Sequence, residues 1–481
     1  MSQSTPSQAT PSQAALSQPA PSQARLGRTA LNLSARALSA PSLIAPAGAD
    51  SEFGRLRTVL MHRPGLELKR ITPRTRHLLQ FDGRPWPARA QQEHDTLAEV
   101  LRTRGVEVIY LTELLQDVLE YQAARDESIA AVLAGSELGD ELSAVVSRHL
   151  ESQSPEDLAS ILIAGLTTDE LRAGKGLVYD LLTPHDFILE PLPNLAFSRD
   201  ACVWVNDQVV LGTLSGPRRR EADLLAVSYG HHPRFNGLSL PYRVGGTCLD
   251  GGDILLLGPG VVAVGIGART TAAAAELLAK YLLDTGAAHT VLAVPMSQPH
   301  QLDTACTVLD HGVVLMVPAL AFTLTVLTIT RRGGSLHVSR PQPFLEAAAR
   351  ALSIDKLTVI ETGFDPMTGA RGQWEDGANT LAIGDRVLIC DERNTETNSR
   401  LAAAGYEIIA VPCGELGGVR GGPRCLCAPL ARDPQADDPQ VRDPQARQPA
   451  QAYATTTPPR HPADQLTGRP RTRAELAPLR S

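Results

Sequence analysis

Four β-hairpins are recognisable along the chain, each as two short apolar runs that flank a turn. They lie at residues 203–211, 254–264, 307–315 and 380–389, and three of their turns contain Asn206, Gly258 and Asp310. Apolar runs on both sides of such residues are typical of antiparallel hairpins. These three turns are evenly spaced, which is what stacked or radially arranged modules would give.

Segments with helical character lie between the hairpins, and each leads into a further strand. Residues 91–104, 271–281 and 343–352 are rich in alanine and leucine or carry apolar residues at helical spacing. Apolar strands follow them at 106–110, 290–294 and 357–360. Strand, hairpin and helix alternate about five times along the chain, so we predict an α/β fold. Residues 114–182 break this rhythm, because they are nearly all helical in period, with helix starts at 154–157 and 167–170.

Both ends of the 481-residue chain differ in composition from its middle. Residues 1–48 repeat Pro-Ser-Gln-Ala-like units, and residues 433–481 repeat Asp-Pro-Gln before a stretch rich in proline and arginine. Such segments bury too little apolar surface to offset the entropy lost on ordering. We therefore predict two disordered tails around a folded part at residues 49–432. The N-terminus has no apolar stretch after a basic start, so no signal peptide is expected.

Composition and charge narrow the class of partner. The formal net charge is −7 and aromatic residues make up 4% of the chain, which leaves little for base stacking, so we expect a small substrate and no nucleic acid. The longest apolar run, residues 313–330, contains Pro318 and four threonines, and it predicts a buried strand followed by a second element rather than a membrane span. Seven irregularly spaced cysteines indicate reduced thiols in a cytoplasmic protein. A homo-oligomeric state stays open.

A cysteine at the end of a glycine-rich loop is the candidate nucleophile. Residues 417–427 read Gly-Gly-Val-Arg-Gly-Gly-Pro-Arg-Cys-Leu-Cys. Glycines let the backbone approach a ligand closely, and Arg424 beside Cys425 favours the thiolate, which is the nucleophilic form. Cys425 and Cys427 are too close together for the usual zinc spacing and have no histidine pair nearby, so no metal site is expected.

Three acidic segments upstream each place a carboxylate at the mouth of a strand. They are residues 192–200, which end in Asp200, residues 249–253, which contain Asp250, and residues 301–304, which contain Asp303. In this order, and followed by the cysteine loop, they resemble the motifs of arginine deiminases in the guanidino-group-modifying superfamily. The resemblance runs from about residue 51 to about residue 432 and includes segments 93–95, 267–271 and 391–398.

The resemblance implies both a fold and a reaction. The fold is a five-bladed α/β propeller of ββαβ modules around a central site, with residues 114–182 as a helical bundle inserted between the first and second modules. A free-standing helical linker domain is the alternative for that segment. The reaction is hydrolysis of L-arginine to L-citrulline and ammonia, without a metal or an organic cofactor.

The same resemblance implies a role for each matching residue. Asp200 and Asp303 hold the guanidinium group, whose planar donors suit carboxylates, and Cys425 attacks its central carbon to form a covalent thiouronium-type intermediate. The substrate's carboxylate and its surroundings are assigned to Asn194, Arg218, Arg269 and Arg420.

Two positions depart from the family's pattern. Asp250 stands where the family has glutamate, and Gln301 stands where it has the catalytic histidine, although a glutamine cannot exchange a proton near neutral pH. His300 lies one residue earlier and should point away, because side chains alternate along an extended strand, unless a bulge turns it inward. Gln301 and Asp250 therefore favour an alternative function, that of a catalytically weakened or silent arginine-binding member of the family. Amidino transfer and methylarginine hydrolysis are further alternatives, which the full-length resemblance disfavours.

Overall fold

A computed structural model describes residues 48–435, except for residues 74, 77–78, 80, 82–84, 173, 215–217, 237, 239–240, 297–300, 364–376 and 418–420. The predicted tails at 1–48 and 433–481 lie almost entirely outside these residues. Their inner ends are described, however, and they contact the folded part. The Gly48 amide donates to the Leu430 carbonyl at 2.7 Å, and Asp433 accepts two hydrogen bonds from Arg57. The folded part therefore extends slightly beyond the predicted limits of 49 and 432.

Short strands recur along the described part of the chain. Those of the described residues are β1 (Leu56–Met61), β2 (Glu107–Tyr110), β3 (Leu166–Thr167), β4 (Phe187–Leu189), β5 (Cys202–Val205), β6 (Gln208–Leu211), β7 (Tyr242–Arg243), β8 (Ile254–Gly258), β9 (Val261–Ile266), β10 (Thr290–Pro295), β11 (Cys306–Asp310), β12 (Val313–Met316), β13 (Thr325–Arg332), β14 (Ser335–Val338), β15 (Gln342–Pro343), β16 (Thr358–Glu361), β17 (Leu381–Gly384), β18 (Val387–Asp391), β19 (Glu407–Val411) and β20 (Ala428–Arg432).

Helices connect these strands and fill the segment between β2 and β3. In the same part of the chain they are α1 (Leu66–Lys69), α2 (Pro87–Thr103), α3 (Leu111–Leu119), α4 (Gln122–Ala134), α5 (Gly139–Glu151), α6 (Pro155–Ala164), α7 (Thr168–Leu171), α8 (Leu177–Leu181), α9 (Ser198–Ala201), α10 (Arg219–His231), α11 (Ala272–Thr285), α12 (Leu302–Ala305), α13 (Pro318–Ala321), α14 (Phe344–Ala351), α15 (Thr395–Ala403) and α16 (Gly414–Gly417).

Five sheets share one pattern, in which an antiparallel pair is extended by a parallel third strand that follows a helix. Modules 2 to 5 are β5-β6-β7, β8-β9-β10, β11-β12-β16 and β17-β18-β19, and their connecting helices are α10, α11, α14 and α15. Module 1 is β20-β1-β2, with α2 between β1 and β2, so its first strand comes from the C-terminal end of the described chain. This mixed α/β architecture confirms the predicted fold class at that level.

The four predicted hairpins are present, and their turns explain why the sequence forms them. Asn206 between β5 and β6 has a φ of 52°, and Asp385 and Arg386 between β17 and β18 have φ of 51° and 59°. Asparagine and aspartate tolerate this left-handed conformation, which two-residue hairpin turns require. The other two hairpins place a glycine, Gly260 or Gly312, at positive φ.

The long apolar run at residues 313–330 does more than the sequence predicted. Its first part forms β12, its middle forms α13, and its last part lies in β13. β13 pairs with β10 of module 3 and also with β14 and β15. The sheet of module 3 therefore has six strands, and the neighbours β10 and β13 are not consecutive along the chain. The prediction of a second element after the strand is confirmed, but the pairing of β13 with another module was not foreseen.

The helical segment packs against the modules. Leu115 and Leu158, from α3 and α6, belong to the same apolar core as Val203 and Val209 of module 2. A shared core is what an inserted bundle requires and what a free-standing linker domain would lack. No helix among the described residues is long and apolar enough to cross a lipid bilayer.

Candidate active site

The polar residues predicted for the site stand just before the first strand of successive modules. Asp200 precedes β5, Asp250 precedes β8 and Asp303 precedes β11. Cys425 precedes β20, the first strand of module 1. Asn379, which the sequence analysis did not select, precedes β17 at the corresponding point of module 5. Each module thus places one of these side chains at an equivalent position, just before its first strand.

Short helical turns aim these side chains. Asp303 lies in α12, whose first amide, that of Leu302, donates to Asp253 Oδ1 at 2.9 Å. Asp250 caps the short helical turn Gly251–Asp253 through its Oδ1 atom, which accepts from the Gly252 amide at 2.9 Å. A Cβ atom at Gly252 would lie 2.5 Å from the Gln301 amide nitrogen, so a larger residue here would displace the Gln301 side chain.

Asp200, Asp303 and Cys425 form a compact buried group. One carboxylate oxygen of each aspartate and the Cys425 sulfur all lie within 4.8 Å of one another. Asp200 Oδ1 and Asp303 Oδ1 are buried and accept no hydrogen bond from the described residues. Buried carboxylate oxygens are normally satisfied, so these two oxygens mark a place suited to hydrogen-bond donors of a ligand.

Several polar groups hold the candidate nucleophile. Cys425 Sγ lies 3.5 Å from Asp303 Oδ2, to which it donates, and Asn379 Nδ2 donates to Sγ at 2.7 Å. Asn379 Oδ1 also accepts from the backbone amides of Arg424 and Cys425 at 3.1 and 3.2 Å. Arg424 Nη1 donates to Asp303 Oδ2 at 2.7 Å. The sulfur therefore has a carboxylate acceptor and an amide donor beside it.

The two residues that depart from the family's pattern contact each other. Gln301 Nε2 donates to Asp250 Oδ1 at 2.9 Å, and Arg269 Nη1 donates to Asp250 Oδ2 at 3.2 Å. Both Gln301 and Asp250 are buried. Asp250 is thus fully engaged by protein donors, in contrast to Asp200.

The residues predicted to bind the substrate's carboxylate are placed unequally. Arg218 Nη2 lies 3.7 Å and Arg269 Nη1 lies 3.9 Å from Asp200 Oδ2, so both guanidinium groups face the site. Arg218 is buried, and its Nη2 atom has no hydrogen-bond partner among the described residues. Asn194 Nδ2 instead donates to the Leu79 carbonyl at 2.8 Å. Arg420 and His300 lie outside the described residues.

Burial and neighbouring charges set the ionisation of the aspartates. Burial, reinforced by the charge of Asp250, raises the pKa of Asp200 to about 7, although Arg218 opposes the shift. Burial also raises the pKa of Asp303, against the influence of Arg424. Two carboxyl groups in one small site resist simultaneous ionisation, and a cation between them would relieve that repulsion.

Two contacting residues were missed by the sequence analysis. Asn379 stands at the mouth of the hairpin at 380–389, so the rule that selected Asp200 and Asp303 would have found it had it included amides. Glu52, buried beneath Arg199 and Arg424, stands in the segment that opens the resemblance, but nothing in the local sequence indicates these partners.

The group of Asp200, Asp303 and Cys425 could also hold a metal ion, since it offers two carboxylate oxygens and a sulfur at close range. Three protein ligands are what catalytic zinc sites use. Metal-free chemistry therefore stays a prediction that needs its own experiment.

Comparison with known proteins decides the family. The family model described as "Arginine deiminase" matches residues 77–432. The chain belongs to the arginine deiminase family. An arginine deiminase from Mycobacterium marinum is 48% identical over 395 residues, which cover 80% of this chain and 98% of the relative. One from Rhodococcus erythropolis is 47% identical with the same coverage.

More distant proteins resemble the deiminase chain in shape alone. A dimethylarginine dimethylaminohydrolase from Pseudomonas aeruginosa, solved in complex with citrulline, has a TM-score of 0.44 and 14% identity. The match covers 78% of this chain and 99% of that one. Similarity at this level does not bear on the chemistry of the present site.

Proposed function

We propose that this protein hydrolyses L-arginine to L-citrulline and ammonia, with Cys425 as the covalent nucleophile. The observation that carries the proposal is the pair of buried oxygens, Asp200 Oδ1 and Asp303 Oδ1, which accept no hydrogen bond from the described residues and belong to the compact group that includes the Cys425 sulfur. Membership of the arginine deiminase family supports the same reaction.

A guanidinium group fits this arrangement chemically. It is planar, permanently charged and rich in N–H donors, and it forms paired hydrogen bonds with carboxylates. Binding of this group between Asp200 and Asp303 would supply the missing donors and place one positive charge beside two buried acids, while its central carbon would face the sulfur. A neutral amide substrate would add no positive charge between the two buried acids, so it would be bound less favourably.

The reaction balances with the groups present. The thiol proton passes to Asp303, and the sulfur adds to the guanidinium carbon. The carbon–nitrogen bond to one terminal nitrogen then breaks as that nitrogen takes the proton and leaves as ammonia, so a positively charged S-alkylthiouronium remains. Water adds to this carbon, the carbon–sulfur bond breaks, and citrulline forms. One water proton returns to the sulfur, and the other converts ammonia to ammonium.

Asp303 is the proton carrier that the geometry favours, because its Oδ2 atom already accepts from Cys425 Sγ. Gln301 cannot take a proton at neutral pH, so its role is to orient Asp250 and a water molecule through its amide. Arg218 and Arg269 are proposed to bind the substrate's carboxylate, together with Arg420.

A second candidate function is arginine binding without turnover. The observation in its favour is the hydrogen bond from Gln301 to Asp250, which places an amide where proton transfer needs a titratable group. Loss of general acid and base help lowers rates by about 100- to 10,000-fold, so the two candidates differ in rate and share one binding mode.

We also propose that the five modules close into a propeller around this site. Contacts between successive modules support it, since β20 contacts β5, β8 contacts β11, β11 contacts β17 and β17 contacts β1. Together with one hydrogen-bonded bridge between Thr213 and Leu249, these contacts run once around the set. The tails at both ends are proposed to be dispensable, and the helices at 114–182 to form an inserted bundle.

Citrulline production from L-arginine tests the proposed reaction. The wild type should form equimolar citrulline and ammonia, and Cys427→Ala should do the same. Cys425→Ala should form neither product. Calorimetry of Cys425→Ala should still detect arginine binding, because both aspartates remain. Arginine binding without citrulline in the wild type would establish the second candidate, and an absence of binding would refute both.

A further inference from the structure

A buried carboxylate from the segment before β1 joins the residues that flank the site. Glu52 is 5% exposed. Its Oε1 atom accepts hydrogen bonds from Arg199 Nη2 at 2.9 Å, from Arg424 Nη2 at 3.0 Å and from the Leu256 amide at 3.3 Å. Arg199 precedes Asp200 and Arg424 precedes Cys425 in the sequence. Leu256 lies in β8, the strand that follows the turn at Asp250.

The two arginines pass this connection on to the site. The Arg199 amide donates to the Cys425 carbonyl at 3.0 Å, and its Nη1 atom donates to the Gly251 carbonyl at 2.9 Å. Arg424 Nη1 donates to Asp303 Oδ2 at 2.7 Å. Through these two arginines, Glu52 is therefore connected by hydrogen bonds to the segments just before β20, β8 and β11, the first strands of three of the five modules.

We propose that Glu52 is a positioning residue for the arginine-hydrolysing site, which holds Arg199 and Arg424 in place and balances their charge, so that Asp303 and Cys425 keep their productive geometry. The inference rests on the proposed function. Glu52 lies beneath these arginines and makes no hydrogen bond to Asp200 Oδ1 or Asp303 Oδ1, so it acts on the site through the two arginines.

The charge of Glu52 matters as much as its shape. Burial alone would raise the pKa of Glu52, but Arg424, Arg199 and Arg432 outweigh it and lower the pKa to about 2, so this carboxylate is ionised at any working pH. Without the negative charge of Glu52, the positive charge of Arg424 would act more strongly on Asp303 and on the adjacent Cys425. Asp303 would then be a weaker proton carrier, and the thiolate of Cys425 would form at lower pH.

Glu52→Gln tests this because it removes the charge and keeps the shape. Glu67→Gln is the matched control, since Glu67 is equally buried, at 3% exposure, and accepts from His62 Nε2 at 3.1 Å outside the site. We expect kcat of Glu52→Gln to fall about 100-fold, because Asp303 becomes a weaker proton carrier and loss of acid and base help has effects of at least this size. KM should change much less.

Alkylation of Cys425 by iodoacetamide, followed by peptide mass spectrometry, gives a readout that does not need turnover. The midpoint is the pH at which the alkylation rate of Cys425 is half-maximal. It should move about one pH unit lower in Glu52→Gln, as expected for loss of a nearby negative charge. Glu67→Gln should keep the wild-type kcat and midpoint even if it is less stable.

The outcomes separate the alternatives. Wild-type kcat and midpoint in Glu52→Gln would overturn the proposal, and equal changes in both variants would reduce Glu52 to a general structural role. If Glu52→Gln does not fold, Glu52→Asp decides, because it keeps the charge but is shorter. That variant should lose kcat and keep the midpoint, and an unchanged kcat would overturn the proposal. If the wild type forms no citrulline, the proposed function fails, yet the alkylation midpoint still tests Glu52.

Discussion

Replacement of Asp200 by asparagine should stabilise the folded protein at alkaline pH while it weakens arginine binding. Asp200 is buried, and the cationic atoms of the described residues that pair with it, on Arg218 and Arg269, lie 3.7 and 3.9 Å away, beyond normal hydrogen-bonding distance. Both arginines keep another partner in the variant, because Arg218 also bonds Glu221 and Arg269 also bonds Asp250.

The magnitude follows from the raised pKa of Asp200. A move from an ordinary value of 3.8 to about 7 corresponds to at most about 4 kcal/mol, at 1.36 kcal/mol per pKa unit. Between these values the folded state binds more protons than the unfolded state, so the free energy of unfolding falls as pH rises. Asparagine removes this penalty. We expect a gain of about 2–4 kcal/mol above pH 7 that vanishes towards pH 4.

Urea unfolding at a series of pH values measures this difference directly. Asp95→Asn is the control, because Asp95 is half exposed and pairs with Arg63, which lowers the pKa of Asp95. The control should lose up to about 1 kcal/mol at neutral pH. A loss of stability in Asp200→Asn at pH 8, or a gain that does not depend on pH, would refute the reasoning.

Further predictions concern the reaction itself. Gln301→His should raise the citrulline rate by about 100-fold or more, because it adds a proton carrier at Asp250, and an unchanged rate in a steady-state assay would contradict this. Arginine affinity, measured by calorimetry, should rise from about pH 6 to pH 8 as Asp200 ionises. Asn379→Ala should lower the free energy of unfolding by about 1–3 kcal/mol, since two buried amides lose their acceptor, with urea unfolding as the measurement. Treatment with EDTA should leave the citrulline rate unchanged, and a loss that zinc restores would assign a metal to Asp200, Asp303 and Cys425.

The hairpins were predictable because their information is local. Two apolar runs and a turn residue that accepts a positive φ, such as Asn206, lie within about ten residues of one another. The positions just before the hairpins followed from the same pattern. The choice of Asp200 and Asp303 as a pair came instead from the resemblance to arginine deiminases, because no local pattern relates two positions that are far apart along the chain.

The missing parts of the prediction depend on contacts between distant segments. Glu52 and Arg424 are separated by 372 positions, and no sequence period relates them. The pairing of β13 with β10 is a choice among several available strand edges, and edge pairing depends on which neighbours the whole fold presents. Local pattern therefore determines the module, whereas packing between modules determines the partners of its buried charges.

Two buried carboxylates of this protein show how structural and ligand-binding acids differ. Glu52 and Asp200 are both 5% exposed. Glu52 accepts from three donors within 3.3 Å, and its pKa is lowered to about 2. Asp200 Oδ1 has no donor among the described residues, and the pKa of Asp200 is raised to about 7. Equal burial thus leads to opposite pKa shifts, because the charges of Arg424, Arg199 and Arg432 outweigh burial at Glu52, whereas the charge of Asp250 adds to the effect of burial at Asp200. An acid already satisfied by the protein gains little from a cation. Asp200 and Asp303 each keep one oxygen without a donor among the described residues, so we infer that the guanidinium group binds between these two acids and not at Glu52.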